Sequence, residues 1–205
     1  MTVRIPAVAL MAFIGWLATS GCGPGAAEHA ATTVAPKNVP SKGEQTMTIQ
    51  ITSSAFKHGD PIPKKYTGEG ADVSPPLSWK NLPEKAKEFV LICDDPDAPT
   101  EEPWVHWVIY KIPASETGLP EGVPRDLRLK HPAGAMQGRN SWPKDNVGYR
   151  GPMPPPGHGT HRYYFRLYAL DGHLTIEPGV TKKQLLEEIR DHILTQGVLM
   201  GTYER

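Results

Sequence analysis

Gly148 to Tyr163 reads GYRGPMPPPGHGTHRY and runs directly into the strand-like segment Tyr163 to Leu170, YYFRLYAL. Those first sixteen residues hold four Gly, four Pro, two His and two Tyr. Proline removes an amide donor and fixes φ, and glycine brings no side chain to pack, so neither helix nor regular sheet survives that density. A long loop inside a compact domain is usually functional or disordered, and aromatic and histidine side chains argue against disorder because they need contacts. The stretch therefore reads as a stiff loop feeding a strand: a rigid structural turn, or one wall of a small polar site. Beyond it, His161, Tyr163, Phe165 and Leu167 share one strand face, which puts His161 at the strand mouth in phase with core residues.

A polar wall needs partners, and two upstream segments offer them. Glu88 to Cys93 (EFVLIC) is a continuous apolar run of strand length, which reads as a central strand buried on both faces. It ends in Asp94-Asp-Pro-Asp-Ala-Pro99, three carboxylates at the tip of a buried strand. Such charge persists only if solvated, paired or coordinating. The segment is thus an exposed Asx-type turn, or it aims Asp95 or Asp97 into a site to orient a histidine. Pro103 to Pro113 (PWVHWVIYKIP) is a second inner strand. Period two puts Trp104, His106, Val108 and Tyr110 on one face and Val105, Trp107 and Ile109 on the other. His106 is then a near-buried imidazole whose nitrogens need partners, and the neighbouring acidic turn can supply one.

The remaining chain frames these pieces. Met47 to Thr52 alternates as a first strand, and Leu77 and Trp79 share a face of a proline-interrupted second one. Ala114 to Asn146 is a polar excursion with four prolines, expected as surface loop. Thr181-Lys-Lys-Gln184 is a capping box, and Leu185, Leu186, Ile189 and Ile193 recur at helical spacing, giving an amphipathic helix that closes near Gly197. Val198 to Tyr203 forms a last strand. High Pro and Gly content with one helical pattern makes a mainly β, loop-rich domain over 47–205. Its roughly 160 residues suffice for a real core.

The N-terminus is of another kind. Arg4 followed by an apolar run between Ile5 and Ala18 is shorter than the about 20 residues of a membrane span and reads as a secretory signal. It ends in Thr19-Ser20-Gly21-Cys22, which resembles the bacterial lipoprotein cleavage box, with Thr19 where an aliphatic residue is usual. The expectation is a signal over 1–21, acylation at Cys22, and a tether over 22–46 rich in Ala, Gly, Pro and Thr, too polar to order itself. The mature protein then sits in the bacterial cell envelope, on the periplasmic side of the outer membrane if the cell is Gram-negative. Zero formal net charge without a basic run argues against nucleic acid as a partner. Cys93, in its apolar run, reads as a small buried hydrophobe and not as a disulfide partner of Cys22.

The DDPDAP turn, the PWVHW segment and GYRGPMPPPGHGTHRYYF, in this order and spacing, resemble the phosphatidylethanolamine-binding proteins, and in particular their bacterial Raf-kinase-inhibitor-like branch. The resemblance covers residues 47–205. It implies a large antiparallel sheet packed on a smaller one with a C-terminal helix, and a small pocket for phosphate, phosphorylated headgroups or similar anions. Matched motif by motif, it implies a pocket built from Asp95, Ala98, Pro99, Trp104, His106, Tyr149, Gly151, Pro154, Pro155, His161 and Tyr163, with a cis peptide at Glu102-Pro103 or Ala98-Pro99. His158 is expected as a solvated turn residue.

Two histidines, two tyrosine hydroxyls and loop amides can supply donors to an anion, with Asp95 accepting from His106 and favouring its charged ring. The expected activity is binding without catalysis, with no cofactor and no metal. The alternatives are a module that inhibits or binds a protein partner, and a weak phosphoester hydrolase. Ser141 and Cys93 lack the neighbours of an activated nucleophile, and no HExxH or CxxC spacing is present.

Overall fold

The computed structural model describes residues 48–144 and 146–205; the expected signal, Cys22, the tether and Met47 lie outside them. The described chain forms a five-stranded and a three-stranded sheet, both antiparallel, with one α-helix. In chain order the strands are β1 (Gln50–Thr52), β2 (Leu77–Lys80), β3 (Glu88–Asp95), β4 (Trp104–Pro113), β5 (Gly118–Leu119), β6 (Met136–Gln137) and β7 (His161–Leu170). Helix α1 (Lys182–Ile189) follows, then β8 (Ile193–Tyr203). The small sheet runs β1-β2-β5 and the large one β6-β4-β3-β7-β8. No helix among the described residues is long and apolar enough to cross a membrane.

The apolar run of β3 explains the layering. Phe89, Leu91 and Cys93 face the small sheet and join Trp79, Ile51, Trp107, Phe165 and Leu167 in the inter-sheet core. Val90 and Ile92 face the other way, onto Leu185 and Ile189 of α1 with Val108, Tyr110 and Leu170. A strand covered on both faces has no polar side, so its sequence shows no alternation. All eight of its residues are buried, including Asp94 and Asp95, so the strand runs two residues into the acidic turn. Asp94 continues the helix-facing set and Asp95 the inter-sheet set. Asp94 is matched by two cations, Arg166 of β7 and Lys182 of α1, the latter at 2.5 Å.

Three expectations change. The capping box at Thr181 and Gln184 forms, but the helix stops at Ile189 and Ile193 opens β8. Pairing of β8 with β7 along nearly its whole length, from Tyr203 opposite His161 to Ile193 opposite Leu170, overrides the helical spacing. Gly197 lies within that strand, where a Cβ would come within 2.2 Å of the Ile49 carbonyl oxygen. The excursion before the loop is also more than surface. It contributes β5 and β6, and it buries Ala135, Gln137 and Asn140, Gln137 accepting from the Trp107 indole at 2.7 Å. Finally, Glu102-Pro103 and Ala98-Pro99 are trans; among the described residues the cis peptide is His131-Pro132.

Candidate functional site

The site begins with a fault in register. Cys93 pairs with Trp107 and Asp94 with Val105, so β4 carries one extra residue, His106, at that point. Such a bulge breaks the alternation of side chains. Trp107 faces the inter-sheet core and Val105 packs toward the helix side, and His106 is turned onto the same side as Trp107. Its ring meets the edges of Tyr163 and Trp142, each at 5.0 Å between centroids. The strict period-two expectation, with His106 beside Val108 and Tyr110, is therefore corrected by the bulge.

The Pro/Gly loop is laced onto this bulge. Arg150 donates its amide to the His106 carbonyl at 3.0 Å, and the His106 Nδ1 donates to the Arg150 carbonyl at 2.6 Å. Nδ1 therefore carries the proton, and Nε2 keeps a lone pair with no protein partner. Burial pushes the pKa of His106 down to about 4, against the weaker opposing pull of its hydrogen bond to Arg150 and of Asp95, so the ring is neutral. The expected imidazolium at this position is thus replaced by a neutral acceptor.

Asp95 pairs with the other histidine. Its Oδ2 accepts from His161 Nδ1 at 2.7 Å, both groups almost fully buried, and its Oδ1 accepts from the Asp97 amide at 2.8 Å. It is thus both the cap of an Asx turn and the group that orients an imidazole. The expected Asp95–His106 pair does not form, because the His106 donor is spent on the loop. Asp97 faces outward, where Arg162 grips it with two guanidinium nitrogens and its backbone amide, holding the carboxyl below its usual range. His158, expected in solvent, shares a hydrogen bond of 2.8 Å between its Nδ1 and His161 Nε2. The Tyr163 hydroxyl is buried and has no partner of full hydrogen-bonding geometry. Burial raises its pKa, and the nearby Asp95 carboxylate adds to that through its charge and a weak hydrogen-bonding pull that leaves the hydroxyl's donor unsatisfied.

Asp95, Ala98, Pro99, Trp104, His106, Pro154, Pro155, His161 and Tyr163 line one cavity of about 200 Å³. Tyr149 and Gly151 do not. Tyr149 is a core residue between Trp107 and Phe165, with its hydroxyl on the Tyr66 carbonyl at 2.7 Å. Gly151 donates to Asp72 at 2.7 Å and runs so close to Tyr66 that a Cβ would lie 2.3 Å from its carbonyl oxygen. Both tie the loop's first half to the segment from Tyr66 to Asp72, away from the cavity. Thr100, Trp142 and Met153 complete the lining and were not anticipated. Trp142 arrives because Ser141 pairs with Val105 through both backbone and hydroxyl. A tryptophan inside a polar excursion is the signal that could have found it, since so large a ring needs cover.

A larger, open cleft of about 810 Å³ runs along α1, but the buried titratable groups gather in the smaller cavity. Among the described residues no three His, Cys, Asp or Glu side chains are grouped to hold a metal ion.

Residues 52–204 match the sequence profile of the family described as phosphatidylethanolamine-binding protein. A UPF0098 protein of Methanothermobacter thermautotrophicus is 48% identical over 157 residues, 77% of this chain and 99% of its own. Among solved structures, a putative phosphatidylethanolamine-binding protein homologue of Chlamydia trachomatis is 44% identical with a TM-score of 0.68, covering 78% of this chain and 99% of that one. YbcL of Escherichia coli, described as a member of the mammalian family, is 32% identical with a TM-score of 0.70, over 77% and 98% of the two chains. With its two-sheet fold and its profile match, the chain belongs to the phosphatidylethanolamine-binding protein family.

Proposed function

We propose that the domain binds, without catalysing a reaction, a small anion of the phosphate or phosphorylated-headgroup class in this cavity. We further propose that it does so in a bacterial cell envelope, held to the membrane by acyl chains on Cys22. Family membership supports a binding role in general. The observation that carries the finer reading is the buried, unpartnered Tyr163 hydroxyl beside the unpaired Nε2 of a neutral His106. An unsatisfied buried hydroxyl costs about 1–3 kcal/mol, so a site that keeps one has a use for it.

One donor and one acceptor select a ligand that offers both. A phosphomonoester, with a second pKa of about 6, still carries a proton on part of its population near neutral pH. Its P–OH meets Nε2 of His106 and its oxyanion meets the tyrosine hydroxyl. Sulfate has no such proton and leaves the imidazole lone pair facing a bare anion. Covalent catalysis has little support: Cys93 is buried with its thiol pKa raised by burial, and Ser141 spends its hydroxyl on the Val105 amide.

Thermal unfolding with added ligand tests this. Phosphoethanolamine at ten times its Kd raises the melting temperature by about 4 °C, equimolar sulfate does not, and His106→Gln loses the shift. Absence of any shift with phosphoethanolamine or inorganic phosphate at millimolar concentration overturns the reading.

A further inference from the structure

The two buried histidines carry four ring nitrogens, and three are already spent. His106 Nδ1 is on the Arg150 carbonyl, His161 Nδ1 on Asp95, and His161 Nε2 on His158. The bond to Asp95 is buried and joins two strands, and the bond to Arg150 ties a strand to the laced loop. The third differs, because its partner is an exposed side chain outside the cavity wall. His161 lines the cavity, yet in this arrangement it has no free nitrogen for a ligand.

His158 is mounted to move. It stands between Gly157 and Gly159, at φ of 74° and 86°, and a Cβ at either glycine would meet nothing within 4 Å. Packing therefore does not require glycine there; the left-handed backbone does. The chain on both sides is tied down. Gly157 donates to the Arg205 carbonyl at 3.0 Å, Arg205 reaches the Pro154 carbonyl at 3.2 Å, and Thr160 is bonded to Glu204 at 2.5 Å. The part left to swing is the His158 ring.

We propose that His158 is an internal competitor for the ligand: it occupies His161 Nε2 in the free protein and is displaced when an oxyanion takes that nitrogen. It thereby sets which ligands can enter the inner half of the cavity. This rests on the binding role proposed above. Asp95 accepts from Nδ1–H, so in the neutral ring Nε2 holds a lone pair that accepts from His158 Nδ1–H. Dihydrogen phosphate, whose second P–OH is left over from the one on His106, replaces that donor with its own and keeps the nitrogen satisfied. A phosphomonoester monoanion has one P–OH and serves only one of the two imidazoles. A ligand without a proton must break the His158 bond and return nothing. His158 therefore acts in the same direction as the lone pair of His106, favouring protonated oxyanions.

Titration of the wild-type protein and His158→Ala with inorganic phosphate, followed by the ring 15N resonances of His161, tests the proposal. A net exposed hydrogen bond is modest, so the variant binds phosphate about fivefold to tenfold more tightly. The His161 Nε2 resonance differs between the two free proteins and coincides when both are saturated. A bound-state difference that persists, free proteins that do not differ at Nε2, or an affinity no higher in His158→Ala overturns the competitor role and leaves the binding role standing. Phosphate binding by neither protein overturns both, whereas binding by the variant alone supports the competitor role.

Discussion

Asp94 and Asp95 are neighbours on one strand, both almost fully buried, and they lead opposite lives. Asp94 points to the helix side, where Arg166 and Lys182 saturate it and tie α1 and β7 to the centre of the sheet. Asp95 points between the sheets, where it holds one turn amide and one histidine in a cavity that retains an unpaired tyrosine hydroxyl and an unpaired imidazole nitrogen. On one side every polar group is matched, as a structural ion cluster requires. On the other the polar groups are positioned by partners but not exhausted by them. Burial and charge alone do not separate a site from a strut. The separation lies in what remains unsatisfied once the fold has taken its share.

The sharpest way to break this comparison is to neutralise each acid in turn. Asp94→Asn leaves two cations facing an amide. Removing one partner of a buried pair costs about 3–5 kcal/mol, and the partial exposure of Arg166 and Lys182 puts the cost near the lower end. Denaturant unfolding should therefore show a loss of about 3 kcal/mol with phosphate affinity unchanged within twofold. Asp95→Asn should do the reverse: a smaller stability loss with phosphate binding abolished, because the His161 tautomer is no longer fixed. Equal losses of affinity in the two variants would erase the distinction.

The acidic strand was readable in the sequence because its physics is local. An unbroken apolar run ending in three carboxylates reads as a doubly covered strand opening into a turn. It left open an exposed turn or Asp95 or Asp97 in a site, and the family resemblance was what singled out Asp95. The partner of Asp95 was not readable. That choice depends on a bulge of one residue in β4 and on which nitrogen the Arg150 carbonyl claims, and neither leaves a trace in the spacing of PWVHW. Tyr149 and Gly151 lie off the cavity for a related reason. Both lie in the right loop, but a loop has two sides, and contacts with Tyr66 and Asp72, some 80 positions earlier in the chain, decide which side each residue faces. Ile193 fell to the helix by spacing because pairing across β7 and β8 is invisible to a local period.

The neutral His106 sharpens the comparison through pH. Its folded pKa is about 4 against an ordinary 6.5. As pH falls below 6.5 the unfolded chain takes the proton first, so the folded state loses stability progressively down to about pH 4. At 1.36 kcal/mol per pKa unit the loss is roughly 3 kcal/mol. Above pH 6.5 the group contributes no slope. His106→Gln removes the titration, so the stability gap between wild type and variant should narrow by roughly that amount between pH 7 and pH 4 in denaturant titrations. A constant gap would mean that His106 titrates at its ordinary 6.5 in the folded protein, and the burial that holds its ring neutral below that pH would be refuted.

The smallest effect is the most pointed, because its two readouts move in opposite directions. Tyr163→Phe deletes one oxygen that is buried, protonated and without a hydrogen-bond partner. In a structural role the hydroxyl would have a partner, and its removal would cost about 1 kcal/mol. Here removal relieves a desolvated polar group near a carboxylate, so the variant should be as stable as wild type or more so by up to about 1 kcal/mol. The ring stays, and with it the edge contact to His106. Phosphate affinity should nevertheless fall about tenfold, since the ligand loses the buried hydroxyl donor. A variant that is less stable and binds equally well would mean that the hydroxyl has a hidden structural partner. The inter-sheet side of β3 would then be as fully matched as the helix side, and the hydroxyl would not be a donor held for a ligand.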